Sequence, residues 1–477
     1  MQLALDQRLK LPGIAVLGAL CGVGLGVGLA AGGLTAFYLC GVLLACAFVL
    51  ADFRCGVVLL ILLMPLSGST TLFPHEMFGI VGLNPLNLLL AGTFCSWLLH
   101  AFGDGSLRTF LPRPLLLLYV VPIVVAGAIG TQHIHEIAPT LLMVDPGLHF
   151  ATAASYLRDL MLKPLLMVVF ALLVAAAVAK SARPERFLPP AVVSMCAMTA
   201  IVPVYVALSG IGLQALAGSD ERGFLSALGL HANDLGRLYA IAYALLLFTW
   251  AEAREQPLRW VLLAAAGGTA AALVLTFSRG AWVELAVVSG LYVLWRRSFR
   301  TLAVAAVVAV AVLLLAPAAV YERLATGEGA GLDAISAGRV DGLWLPLLPE
   351  VLHHPLLGNG ISAILWSDAM RRGAGQGVIP ATHPHNAYLE ALLDMGVIGT
   401  VLLCAYFVHV FMGLRELSTH PRLEPALRGF FQGAAAGLIG MLVSDFTDSS
   451  LAPRPEQAFL WLAIGMMYGE YARRTRA

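Results

Sequence analysis

The chain has 477 residues, 59% of them hydrophobic and 12% charged, with a formal net charge of +1. A soluble protein typically carries about 25% charged residues, so this composition excludes an ordinary soluble fold and points to an all-α, polytopic membrane protein. The near-zero net charge says nothing about partners. With so few ionisable groups, their placement matters more than their sum.

A helical bilayer crossing takes roughly 17–25 apolar residues. The apolar runs predict crossings at about 12–33, 34–51, 55–67, 83–102, 114–131, 161–179, 187–208, 235–252, 259–277, 281–295, 301–320, 386–413, 429–447 and 457–472, or about 12–14 transmembrane helices. No short apolar stretch with a cleavage site opens the chain, so run 12–33 is expected to be a retained crossing. Gly22, Gly24, Gly26 and Gly28 lie inside that run, with no strand before them and no acidic partner after. This excludes a dinucleotide fingerprint and suggests close helix packing. Cys21, Cys40, Cys46, Cys55, Cys95, Cys196 and Cys404 fall in or beside apolar runs without a CxxC pair, so they read as small packing residues.

The basic residues give the orientation. With a cytoplasmic N-terminus, every cytoplasmic segment holds at least one, from Arg8 and Lys10 through Arg54, Lys180, Arg254, Arg296, Arg415 and Arg428 to Arg473 and Arg474. Both termini are therefore expected in the cytoplasm. Ten remain for the outer side or its membrane edge: Arg158, Lys163, Arg222, Arg237, Arg279, Arg323, Arg339, Arg371, Arg372 and Arg454. Arginine near a bilayer is costly, which suggests a use. Segment 131–160 carries His133, His135 and His149 too sparsely for a metal site, and its alternating apolar and polar residues suggest an interfacial stretch.

A long polar segment, about 321–385, interrupts the apolar runs and ends in His383-Pro-His-Asn-Ala-Tyr-Leu-Glu390. Asn386 is placed to cap the following helix, whose N-terminus favours an anion. Three other outer stretches accompany it. One runs from Asp220-Glu-Arg-Gly-Phe224 to Arg237 and includes Asn233; here Asn233 and Asp234 are expected to cap the next helix. The second is Ser278-Arg279-Gly280. The third joins Gly338-Arg339 and Trp344 to Pro355-Leu-Leu-Gly358-Asn-Gly360, where the glycines are expected to shape a turn. No GxxxxGK[ST] loop, Asp-x-Asp pair, HExxH or GxSxG motif occurs, so neither ATP drive nor a bound metal is supported.

In order and spacing, Arg222…Asn233, Ser278-Arg279-Gly280, Gly338-Arg339…Trp344…Pro355-Leu-Leu-Gly358-x-Gly360 and His385-Asn386-x-Tyr388-Leu389-Glu390…Gly396-x-x-Gly399 resemble the O-antigen ligase and Wzy polymerase superfamily of bacterial envelope glycosyltransferases. The resemblance covers about 190–400. It implies a metal-independent, cofactor-free transferase of the inner membrane with its site facing the periplasm. The donor would be a glycan on undecaprenyl diphosphate. The acceptor would be a lipid A core sugar in a ligase or a lipid-linked repeat in an exopolysaccharide-type polymerase; nucleic acid has no part. The organisation expected is 1–186 N-terminal transmembrane helices, 187–320 helices bearing the arginine motifs, 321–385 a periplasmic loop, and 386–477 C-terminal helices.

The residues make chemical sense of this. A departing diphosphate gains negative charge, which fixed cations stabilise, and arginine grips phosphate oxygens through a fork that stays charged. Arg222 and Arg279 are the first candidates, then Arg339. Each has a structural alternative: pairing with Asp220 or Glu221, anchoring a span end, or pairing with Asp341. The acceptor hydroxyl needs a base, and histidine titrates near neutral pH. His385 is the candidate, His383 the reserve, with Asn386 and Tyr388 orienting or contacting sugar and Asn233 a further substrate contact. Glu390 reads as structural. The rival classes are a polyprenyl-lipid or polysaccharide transporter, which predicts charges within spans and repeated halves, and a non-catalytic scaffold.

Overall fold

The computed structural model describes residues 22–24, 26, 27, 30, 38–73, 76–105, 110–144, 148, 150–210, 229–315, 318, 320, 321, 333, 336, 338–372, 377–447 and 451–475. Among them, every expected crossing after the first is a helix. These are α1 (Tyr38–Ala51), α2 (Phe53–Leu63), α3 (Pro85–Asp104), α4 (Val121–Gly130), α5 (Pro139–Val144), α6 (Ala153–Leu157), α7 (Lys163–Ala179), α8 (Leu188–Ser209), α9 (Ala232–Glu252), α10 (Gln256–Val274), α11 (Arg279–Arg296), α12 (Phe299–Leu315), α13 (Leu345–His353), α14 (Asp368–Arg372), α15 (Ala387–Thr419), α16 (Pro425–Ser444) and α17 (Ala458–Arg474). Strands β1 (Glu76–Met77) and β2 (Ile80–Val81) form one small antiparallel hairpin pairing Glu76 with Val81. The chain is an all-α, multi-pass membrane protein. Six described helices, counting continuous helical stretches such as Ala153–Ala179 as one, are both long and apolar enough to cross a bilayer alone, and Tyr38–Ala51, Phe53–Leu66 and Leu115–Gly130 are shorter apolar helices.

Helix α9 runs through the centre, packed on α10, α11 and α16. Its approach to α16 depends on small residues. A Cβ on Gly429 would lie 2.4 Å from the Phe248 carbonyl oxygen, and one on Gly433 would lie 2.5 Å from that of Ala244. Glycine every fourth residue puts a flat stripe on one face of α16, which lets the backbones meet. Helix α17 packs on α7 in the same way, with Gly465 against the Ala171 carbonyl.

At the C-terminal end of α9 the basic residues gather. Arg296 and Arg428 both reach Glu252, at 3.0 and 3.9 Å. Arg415 lies over the Trp295 ring and Arg259 over Trp250. The opposite end of the bundle holds the motifs.

The polar segment 339–372 builds a second, smaller core. Leu343, Leu347, Trp366 and Met370 pack with Ile137, Leu141, Phe150 and Tyr156. Ile134, Ile137, Leu141, Phe150 and Tyr156 of segment 131–160 thus pack against the polar segment. His133 stacks on Trp366 and bonds Glu136, which also holds Arg371 at 3.0 Å. At the glycine-rich start, a Cβ on Gly22, Gly24 or Gly26 would meet nothing within 4 Å among the described residues.

Candidate functional site

Asn386 caps α15 as expected. Its side-chain oxygen accepts from the backbone N–H of Tyr388 and Leu389, at 3.1 and 3.0 Å. Just before it, His385 has a left-handed backbone, φ 52°, which folds its ring onto that of His383, edge to face at 3.9 Å between centroids. Both rings are half-buried. The intervening Pro384 carbonyl accepts from Trp344 Nε1 at 2.8 Å. Trp344 closes a π-helical turn, Val340–Trp344, that begins directly after Arg339.

The motifs meet at the end of α16. Ala387 N–H donates to the Asp445 carbonyl at 2.9 Å, and the Tyr388 hydroxyl donates to that of Leu442 at 2.6 Å. Tyr388 also lies 4.5 Å from the Phe446 ring. Arg339 Nη1 donates to the Thr447 carbonyl at 3.1 Å, and a Cβ on Gly280 would stand 3.9 Å from Thr447 Oγ1. Arg279 is the first residue of α11 after the cap position Ser278. Thus Arg279, Arg339, His383, His385, Asn386 and Tyr388 share one end of the bundle. Arg222 lies outside the described residues. Asn233 sits in the first turn of α9, but His231, not Asn233 or Asp234, caps it: His231 Nδ1 accepts from Asn233 N–H at 3.2 Å.

Beneath this end lies a cluster that motif reading did not assign. Arg237 is 2% exposed, Asp445 0% and Glu456 6%. Arg237 pairs directly with Asp445 and stands 3.6 Å from Glu456. Burial and the nearby Asp234 carboxylate push the Glu456 carboxyl up to about 7, against the pull of Arg454 and Arg237. Ser444 Oγ donates to the buried Glu284 carboxylate at 3.4 Å. The available signal was a charge beside an apolar run. The ion pair itself joins residues some two hundred positions apart, and no local pattern encodes it.

The spacing of Pro355-Leu-Leu-Gly358-Asn-Gly360 has a backbone explanation. At Gly396, φ 63° and ψ −169°, α15 breaks. In an unbroken helix the N–H groups of Val397 and Ile398 would bond to Leu393 and Asp394. Here they donate to the carbonyls of Pro355 and Leu356, at 2.8 and 3.2 Å. The carbonyls of Leu393 and Asp394 accept instead from Asn359 and Gly360, at 2.8 and 3.0 Å. The loop is spliced into the helix, and each of these four groups keeps a backbone partner. A Cβ on Gly358 would come 2.4 Å from Asp394 backbone, and one on Gly396 would come 2.4 Å from Leu356. The Asp394 carboxylate accepts from Ala363 N–H at 2.9 Å, fixing the turn beyond.

Two cavities open here. One of about 420 Å³ lies among the first turns of α3, α7 and α9 and residues 453–456 ahead of α17, and one of about 180 Å³ adjoins it. Neither is lined by His385 or Arg279. Among the described residues, no three His, Cys, Asp or Glu side chains are grouped as metal ligands.

Residues 262–404 match the family model described as O-antigen ligase, Wzy_C. The match takes in Arg279, Arg339 and the stretch from His383 to Glu390, and leaves out Arg222, Asn233, Arg237 and Asp445. No curated protein matches the chain.

Proposed function

We propose that the chain, whose residues 262–404 match the O-antigen ligase family model, is a member of the O-antigen ligase and Wzy polymerase superfamily and moves a glycan from undecaprenyl diphosphate to an acceptor hydroxyl at the periplasmic face of the inner membrane. The ligase reaction, with a lipid A core sugar as acceptor, is the first reading. A polymerase, with a lipid-linked repeat as acceptor, is the second.

In the reaction the acceptor oxygen attacks the anomeric carbon as the bond from that carbon to the diphosphate oxygen breaks. Direct attack inverts the anomeric centre. His385 takes the hydroxyl proton, general base help worth about 10²–10⁴-fold. Arg279 and Arg222, with Arg339, hold the diphosphate as its charge grows. Asn386 fixes the turn that aims His385. Tyr388 contributes by anchoring α15 to α16 through the Leu442 carbonyl. Asn233 contacts substrate from the first turn of α9. The periplasmic segment 321–385 carries Arg339 and both histidines.

The observation that carries this reading is the meeting of separate motifs, from α11, the polar segment and α15, around residues 442–447. The basic end at Glu252, far along α9 from that site, supports a cytoplasmic assignment for the opposite face. Against translocation stands the local bonding of the span carboxylates Glu284 and Asp394.

The test is transfer by the purified chain from a defined undecaprenyl diphosphate glycan, with a lipid A core glycolipid and a lipid-linked repeat offered separately. Product on the core establishes a ligase, and product on the repeat a polymerase. Failure with both, by folded protein, rejects the transferase reading.

A further inference from the structure

We propose that the cavity of about 420 Å³ among the first turns of α3, α7 and α9 and residues 453–456 binds the sugar residues of the acceptor, and not the donor's diphosphate. This rests on the transferase reading above.

Its size falls in the range of ligand pockets, roughly 300–1,000 Å³. Its polar wall is of mixed sign. Asp159 and Asp234 face the same space as Lys163 and Arg454, and Lys163 is held 2.6 Å from Asp159. A diphosphate placed there would meet carboxylates as well as cations. Sugar hydroxyls both donate and accept, so they use both kinds of partner. His231 adds a directed donor. Its Nδ1 accepts from Asn233 N–H, so the neutral ring carries its proton on Nε2. Leucines and methionines complete the wall and suit the C–H faces of a sugar ring.

Position supplies the second argument. The neighbouring cavity of about 180 Å³ shares Asp159, Pro164, Pro453 and Arg454 with the first. It ends on Ala387 and Glu390, in the first turn of α15. Arg454 bridges the two, 3.9 Å from Glu390. An oligosaccharide lying in the larger cavity is therefore separated only by these shared residues from a cavity that reaches the first turn of α15, next to His385 and Asn386. Arg339, assigned to the diphosphate, holds the Thr447 carbonyl, and Gly280, next to Arg279, approaches the Thr447 hydroxyl; neither cavity is lined by Arg279, Arg339 or Thr447. Donor and acceptor are thus given separate surfaces around the turn.

The test is equilibrium binding to the full chain in lipid nanodiscs. The probes are undecaprenyl diphosphate, deacylated lipid A core oligosaccharide and the released repeat-unit oligosaccharide. Ser67→Phe fills the cavity from its wall. His231→Asn keeps a capping acceptor but removes the Nε2 donor. Each is expected to weaken binding of one oligosaccharide by about tenfold or more, the scale of one or two lost hydrogen bonds, with undecaprenyl diphosphate binding unchanged. Oligosaccharide affinity that survives Ser67→Phe, affinity lost for the diphosphate lipid instead, or wild-type protein that binds neither oligosaccharide would overturn the assignment. Wild-type protein that binds an oligosaccharide here and transfers nothing keeps the cavity assignment and sinks the transferase reading. Wild-type transfer with an acceptor KM unmoved by Ser67→Phe does the reverse.

Discussion

At the scale of single residues, His385 combines two requirements that seldom coincide. It is the proposed base, and its backbone is left-handed, φ 52°, a conformation that costs most residues roughly 1–2 kcal/mol. Asparagine tolerates this region well, so His385→Asn separates the roles. The variant is expected to fold normally, to bind undecaprenyl diphosphate with near wild-type affinity, and to lose turnover by about 10²–10⁴-fold. Arg279→Ala should weaken lipid binding and turnover together, with Arg279→Lys recovering only part, since lysine keeps charge without the fork. A well-folded His385→Asn enzyme at wild-type rate would move the base to His383 or an outer carboxylate. Glu456 gives a pH signature. Its carboxyl rises from the ordinary 4.5 to about 7 through burial and Asp234, opposed by Arg454 and Arg237. The fold therefore favours the neutral form. That stability is complete below about 4.5 and is lost as pH rises through about 7. Unfolding temperatures of wild-type protein should fall between pH 5 and pH 8, and those of Glu456→Gln should stay flatter. Asn386 was legible because capping is a code read over three residues. The left-handed turn at His385 was not, since its neighbours Pro384 and Ala387 are held by Trp344 and Asp445, which lie far away in sequence.

At the scale of elements, the apolar runs placed the helices well because a bilayer leaves the backbone few choices. The sequence reading ended the last polar-to-apolar run near 413, whereas α15 continues to Thr419 and breaks at Gly396. Hydropathy averages over such a break, and the bonds that sustain it come from residues forty positions earlier. Gly396→Ala should expose this. The added methyl would lie 2.4 Å from Leu356 backbone, at a positive φ. A loss of more than about 2 kcal/mol is expected, from left-handed strain and overpacking together, read as a lowered unfolding temperature and lost transfer. Gly268→Ala in α10, where the added methyl would stand no nearer than 3.6 Å, from Thr199 Cγ2, should cost less. Equal costs at the two positions would argue against the spliced geometry. The packing glycines of α16 were hidden for a related reason. Gly429 and Gly433 look like any small residues in an apolar run until α9 is laid against them.

At the scale of the whole molecule, orientation and chemistry depend on each other. A cysteine introduced at Gly329, in the proposed periplasmic segment, should react with an impermeant reagent in intact cells. Labelling only after permeabilisation would reverse the topology and remove the site from the periplasm. Transfer should also persist in EDTA, because the proposed charge stabilisation comes from arginines. Loss of activity restored by a divalent ion would reject that mechanism. The placement of charge was partly legible here, as the basic clusters marked one face. The ion pair of Arg237 with Asp445 was not, because α9 and α16 are brought side by side only by the completed bundle.

The splice at Gly396 makes a lever of the first section of α15. That section is bolted to residues 355–360 and hinged on the spanning section behind it. A displacement of residues 355–360 is therefore passed to the section that follows His385, with little required of the helix beyond Gly396. The amides of Val397 and Ile398 accordingly belong to the loop's opening event, and should exchange with deuterium together with those of Asn359 and Gly360, more slowly than a glycine break alone would allow.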